Sequence, residues 1–406
     1  MAMKTYRKNI PDGMRDMVYG EIKTVKELSD TLIGLYQKKG YSEVVTPTIE
    51  YFDVFNIENS VIAEENMFKM TDLSGRLVVL RPDNTTPMAR IASTRLKNAP
   101  SPIKLCYSQN VYRILHGYSG KRCEFTQTGI EILGGDTFKS DIECLINALT
   151  SLKKASLCFG NDIEYKLEIG HAGFAKALID SLCLDETEKE LALGYVEAKN
   201  SSNVEFLSTS HGNFEEAIKL IRQFPRLFGS KEVLDKARAL CQGIEQANSA
   251  LDYLSEIYTV LEDAGFAENI TIDLSIVHEL DYYTGLVFRG YIDGAGEAVL
   301  GGGRYDTLLE NFSEKLPATG FGVNISVIAD SLGRKYGENT GEKVKTIVHY
   351  EKETLSKAIA FIEKSDEICE LSCFDDFQYT LSYAKAKSIK RAVRICKGNI
   401  TEVHDL

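Results

Sequence analysis

The sequence predicts an α+β fold: an antiparallel sheet core over about residues 1–330, an all-helical insertion within it at about 174–265, and a small α/β domain at 331–406. Three observations predict it. Strand-like runs punctuated by turn residues recur before residue 133 and after residue 270. The stretch between them reads mostly as charged amphipathic helix. Beyond a polar segment at 333–343 the pattern alternates strand, helix, strand, helix, strand. A chain of 406 residues is about two to three times the usual domain length, which fits several units better than one core.

The first expected helix covers 20–39, where Ile22, Val25, Leu28, Leu32, Ile33 and Tyr36 recur at three- and four-residue spacing before Gly40. The β-branched run Tyr41 to Thr46 reads as a strand ended by Pro47. Two short runs, Met67–Met70 and Arg76–Leu80, flank Asp72-Leu73-Ser74-Gly75 as a hairpin. Asp83-Asn84-Thr85 then feeds a helix running towards Leu96. Residues 103–114 and 123–133 are strands expected to pair antiparallel across His116–Arg122. One strand, Tyr165–Ile169, precedes the helical insertion. Strands return at 270–277, 283–292 and 296–303, a helical segment starts at Tyr305, and a last core strand over Pro317–Ile325 enters a helix.

Composition excludes several classes of function. The chain is 44% hydrophobic and 26% charged, so it folds, and its formal charge of −12 disfavours a nonspecific grip on nucleic acid or anionic membrane. Nine scattered cysteines without a CxxC pair fit reduced cytoplasmic thiols rather than disulfides or a zinc site. The N-terminus carries no apolar signal segment, and no apolar run reaches about 18 residues, so neither secretion nor membrane spanning is expected. There is no P-loop, no GxGxxG after a strand, no HExxH and no GxSxG.

Polar residues on otherwise apolar strands mark the candidate site. Period two places Gln127, Gly129 and Glu131 on one strand face, where a small residue between amide and carboxylate leaves room for a ligand; the alternative is a solvated sheet face. Arg113 adds a cation near the same sheet, or else a rim charge. Gly301-Gly302-Gly303 at a strand end suits close approach of a ligand or another backbone, or a wide turn. Of the paired Tyr282 and Tyr283, one ring at most serves a pocket while the other packs. Asp83 and Thr85 read first as helix-capping residues.

Pro11–Asp16, Gly40–Pro47, Arg81–Thr85, Tyr112-Arg113, Glu124–Glu131, Leu280–Gly285 and Gly302–Asp306 occur in the order found in histidyl-tRNA synthetases, which the chain resembles over about residues 8–330. It resembles more closely the paralogous branch that serves as regulatory subunits of ATP phosphoribosyltransferase, through Arg81–Ile91, Gly170–Gly173 and Gly294–Glu297. The resemblance implies a class II aminoacyl-tRNA synthetase-like core and a homodimer through Gly40–Pro47. It places Gln127, Glu131, Tyr282, Tyr283 and Tyr305 at positions that hold the amino acid, with Asp83 shortened from glutamate. With Thr85 and Arg113 these form the expected histidine-binding set.

The departures concern catalysis. His278-Glu279 stands where the synthetase pattern has arginine, Val327 where it has an ATP-binding arginine, and Leu115 and His116 replace charged loop residues. Loss of several charge-assisted contacts, each worth roughly 1.5–3 kcal/mol, removes the adenylate chemistry. Residues 341–406 carry eleven basic and eleven acidic residues, and they are shorter than the anticodon-binding domain of the synthetases, so no tRNA binding is expected. The reading is therefore a noncatalytic regulatory subunit that activates a short catalytic subunit in the first step of histidine biosynthesis and delivers feedback inhibition by histidine. The resemblance implies a hetero-octamer. No catalytic residue, metal or cofactor of its own is expected; magnesium, ATP and phosphoribosyl diphosphate belong to the partner. The alternative is an active or degenerate histidyl-tRNA synthetase.

Overall fold

The computed structural model describes residues 7–57, 62–114, 122–159, 163–182, 184–197, 199, 214–241, 243–277, 283–312, 315–336, 344–396 and 399–406. They fall into two compact units, 1–338 and 339–406. Helix α1 (Gly20–Lys38) buries Val25, Leu28, Leu32, Ile33 and Tyr36, as its spacing predicts, and Gly40 turns the chain at φ +88°. The strand expected over 41–47 shrinks to β1 (Ser42–Glu43), because the Gln109 side chain, not a neighbouring strand, accepts the Thr46 N–H at 2.7 Å. Strands β2 (Ile49–Tyr51), β3 (Lys69–Thr71) and β4 (Leu77–Leu80) form a separate small sheet in the order β2-β4-β3. The expected β3–β4 hairpin is present, and Asp72 accepts from the N–H groups of Ser74 and Arg76 at 2.8 and 2.9 Å across its turn.

After α2 (Thr85–Ser93), strands β5 (Ile103–Tyr112) and β6 (Glu124–Leu133) pair antiparallel along their whole length. Helix α3 (Thr137–Leu157) is N-capped by Asp136 and leads to β7 (Tyr165–His171). The insertion comprises α4 (Ala172–Asp180), α5 (Glu186–Glu197), α6 (Phe214–Ile221), β8 (Phe228–Gly229), α7 (Glu232–Arg238) and α8 (Glu245–Asp263). It is not wholly helical: β8 pairs with β9 (Ile270–Asp273). Strands β10 (Leu286–Ile292), β11 (Leu300–Arg304) and β12 (Ala318–Asn324) start later than the expected ranges, and the segment after Tyr305 is a short 3₁₀ turn at Leu308–Phe312. Helix α9 (Ile325–Tyr336) runs across position 330, so the contact boundary between units falls after it.

The large sheet has the order β1-β5-β6-β12-β11-β10-β7-β9-β8, and neighbours from β5 to β7 are all antiparallel. Opposed residues of such strands share a face. One register row, Ile130, Phe321, Gly302, Phe288 and Ile169, faces the apolar layer beneath α1 and α3, where the Phe321 ring meets Tyr36 and Phe288 edge-on at 6.1 and 6.3 Å. The next row, Tyr107, Gly129, Gly322, Gly301, Arg289 and Glu168, faces the other way. Three glycines in that row keep its centre low.

A buried ion pair ties this sheet to the helices. Arg304 donates through Nε and a terminal nitrogen to both oxygens of Asp141, at 3.1 and 2.8 Å, and Asp141 also accepts from the Tyr253 hydroxyl at 2.6 Å. It thereby joins β11 to α3 and α8.

The second unit holds β13 (Thr346–Tyr350), α10 (Leu355–Glu363), β14 (Cys369–Leu371), α11 (Phe377–Ala386), β15 (Arg391–Cys396) and β16 (Asn399–Asp405), with sheet order β14-β13-β15-β16. The final strand was not expected. It is an edge strand that leaves Ile400 and Val403 exposed, at odds with the period-two pattern of a half-buried strand.

Removing the Asp141 charge leaves buried Arg304 with only the more exposed Asp306, at 2.9 Å, as a counter-charge, so Asp141→Asn should cost about 3 kcal/mol in urea unfolding. Asp293→Asn, which breaks the exposed Lys335–Asp293 pair, should cost less than about 1 kcal/mol.

Candidate ligand-binding site

Glycines in β12 let two side chains of β6 extend across the sheet. A Cβ on Gly320 would lie 1.7 Å from Glu131 Oε2, and one on Gly322 would lie 2.3 Å from Gln127 Nε2. Glu131 is fully buried and accepts from the hydroxyls of Thr85 (2.8 Å), Tyr107 (3.4 Å) and Tyr305. Burial pushes its carboxyl up to about 8; the hydroxyl donors oppose that rise and the nearby Asp83 charge adds to it. Gln127 Oε1 accepts from Asn84 Nδ2 at 3.0 Å, which leaves its Nε2 as the donor towards ligand. The amide relay continues: Gln109 donates to Asn84 at 3.2 Å and accepts from Arg81 at 2.9 Å, and Arg81 also holds the Thr46 carbonyl at 2.7 Å.

Above this floor lies a cavity of about 250 Å³. Asp83, Thr85, Arg113, Gln127, Tyr283 and Tyr305 all line it, together with Phe125, Arg289, Asn324, Gly301 and Gly302 of β11, and Gly320 and Gly322 of β12. Glu131 does not. It sits beneath the cavity, reached through Thr85 and Tyr305, because three hydroxyls already occupy its oxygens. Tyr282 lies outside the described residues, as do Leu115, His116 and His278. Tyr283 precedes β10 rather than lying on it, and its ring occupies the space that a Cβ on Gly303 would need. Asp83 caps α2 as well as lining the cavity, accepting from the Thr86 N–H at 2.8 Å. Arg113 donates through Nε to the Pro82 carbonyl at 2.7 Å, lies 5.6 Å from the Phe125 ring centroid, and makes no ion pair with any described residue.

Sequence reasoning missed Asn84, Tyr107, Gln109, Arg289 and Asn324. Gln109 was within reach, since it opposes Gln127 once β5 and β6 pair; Arg289 needs the β10–β11 register, which no local pattern reports. Val327 sits in the first turn of α9, donates its N–H to Asn324 Oδ1 at 3.1 Å and packs its side chain on the core, so it supplies no cation. Among the described residues no His, Cys, Asp and Glu cluster suits a metal ion, and no helix is long and apolar enough to cross a membrane. The eight described cysteines are free thiols.

Residues 13–328 match the family described as histidyl-tRNA synthetase. ATP phosphoribosyltransferase regulatory subunits of Clostridium botulinum strain Langeland and Clostridium acetobutylicum are 37% and 39% identical to the chain. The alignments cover 95% and 96% of this chain and 92% and 95% of those proteins. The chain belongs to the histidyl-tRNA synthetase family, in its branch of ATP phosphoribosyltransferase regulatory subunits. A Bacillus halodurans C structure described as ATP phosphoribosyltransferase regulatory subunit/histidyl-tRNA synthetase superposes with a TM-score of 0.82 at 30% identity, covering 94% of this chain and 97% of that one. A histidyl-tRNA synthetase from Nostoc shares the fold at a TM-score of 0.75 and 20% identity, covering 95% of this chain and 91% of its own.

Native Glu131 keeps its proton to about pH 8, whereas an unfolded glutamate releases it near 4.5. Between those values the native state binds more protons than the unfolded one, so stability falls as pH rises, by up to about 1.4 kcal/mol per pH unit. Glu131→Gln should remove most of that slope. Urea unfolding of both proteins at either end of the window measures it.

Proposed function

We propose that the chain is a noncatalytic regulatory subunit of ATP phosphoribosyltransferase and that its cavity binds free histidine as the feedback signal. The observation that carries this reading is a cavity that keeps polar groups for an amino acid, Asp83, Gln127, Tyr283 and Tyr305, beside a helix start where Val327 provides no phosphate-binding cation. The lining carboxylate of Asp83 suits the ammonium, while the Gln127 amide and the two phenols suit the carboxylate and imidazole. Glu131 acts from below by fixing the hydroxyls of Thr85 and Tyr305. A pocket of this kind rejects analogues that leave its polar groups unpaired.

The reaction it supports, ATP with phosphoribosyl diphosphate giving phosphoribosyl-ATP and diphosphate, takes place on a short catalytic partner in the cytoplasm, which also holds the magnesium-bound substrates. The names of the relatives support the regulatory assignment. A homodimer that grows into a hetero-octamer completes the reading, and exposed apolar side chains following β1 support the dimer: Val45 is 76% and Ile49 50% exposed.

The purified chain should show no ATP–diphosphate exchange with histidine and no charging of tRNA. It should bind histidine with about micromolar to submillimolar affinity, near −4 to −8 kcal/mol. Added to the short catalytic subunit, it should raise phosphoribosyl-ATP formation and make it histidine-sensitive. Exchange above a no-enzyme blank that vanishes in Arg113→Ala would instead establish a synthetase.

A further inference from the structure

The polar face of the sheet extends past the residues assigned above. Arg289 on β10 opposes Gly301 on β11 and Glu168 on β7, so its side chain leaves the sheet on the same face as Gln127 and Glu131. It lines the cavity. A Cβ on Gly301 would meet no heavy atom within 4 Å, so the space beside Arg289 is open. Among the described residues its one hydrogen bond is to Glu197, the last residue of α5, at 3.2 Å. Both side chains of that pair are about one-third exposed, at 30% and 32%, a setting in which an ion pair holds its partner only weakly. The guanidinium carries five N–H donors in a planar fork, and this bond uses one.

Charge decides what such a group would hold. Among the described residues the cavity is lined by two guanidinium groups, Arg113 and Arg289, against one carboxylate, Asp83, while Glu168 opposes Arg289 on the neighbouring strand outside that lining. A zwitterion placed with its ammonium at Asp83 therefore has its carboxylate directed to arginine.

We propose that Arg289 is a specificity residue: its guanidinium binds the carboxylate of the amino-acid ligand in the open space over Gly301, in competition with Glu197. This rests on reading the cavity as an amino-acid site. Ligand binding then draws Arg289 away from the end of α5, so the insertion senses whether the cavity is filled.

Calorimetric titration of the full-length chain with histidine and with histamine, which keeps the imidazole and amine but lacks the carboxylate, tests the proposal. Where histamine heats are small, its displacement of histidine gives the same ratio. Arg289→Gln should weaken histidine by at least about tenfold, the loss of one charge-assisted contact, and leave histamine within about twofold. Arg289→Lys should recover part of the histidine affinity. Glu197→Gln should tighten histidine by about two- to fivefold, because the competing carboxylate is gone. Equal losses for both ligands would make Arg289 merely structural, and unchanged histidine binding in Arg289→Gln, or weaker binding in Glu197→Gln, would overturn the proposal. If the wild-type chain binds no histidine, the amino-acid reading itself fails. If wild type binds and Arg289→Gln binds equally, only the role of Arg289 fails.

Discussion

The absence of side chains at Gly320 and Gly322 is the constraint on which the rest of the site depends. A strand in the centre of an antiparallel sheet normally fills both faces with side chains. Here the cavity face of β12 is emptied, and the Glu131 and Gln127 side chains of β6 lie in the vacated volume, closer than any Cβ would permit. Gly301 in β11 continues the clearing towards β10. The opposite face compensates: Phe321 and Phe288 bring large rings to the apolar layer, so the sheet loses packing on one side only.

That arrangement separates holding a ligand from activating it. The groups around the cavity are fixed by partners within the protein: Gln127 by the amide relay to Arg81, Asp83 by the start of α2, Thr85 and Tyr305 by Glu131. Such preorganisation lowers the entropic cost of binding, and none of it requires a nucleotide. The element that would carry a further cation, the first turn of α9, offers Val327. A fold shared with histidyl-tRNA synthetases does not fix the chemistry, since function follows the site rather than the scaffold.

Much of this was legible in the sequence. The six central strands were each anticipated, because their alternation and turn residues are local signals, and so were the Asp72–Gly75 hairpin and the end of α1 at Gly40. Gln127 and Glu131 were correctly placed on one face by period two alone. What was not legible depended on tertiary pairing. The depth of Glu131 follows from glycines on a strand nearly two hundred residues away, β16 hides its pairing behind exposed apolar residues, and the strand after Gly40 is cut short by the Gln109 side chain. Arg289 belongs to the same group: it reads as an ordinary strand arginine until the register sets it beside Gly301.

If the ligand sits on the glycine-cleared face, filling that face must weaken its binding. Gly301→Val tests it most directly, because a β-branched side chain suits a strand and a new Cβ at this position meets no heavy atom within 4 Å. Histidine titrated into this variant by calorimetry should bind at least about tenfold more weakly than into wild type, at an unfolding midpoint that stays close to wild type. Histidine binding equal to that of wild type would place the ligand elsewhere.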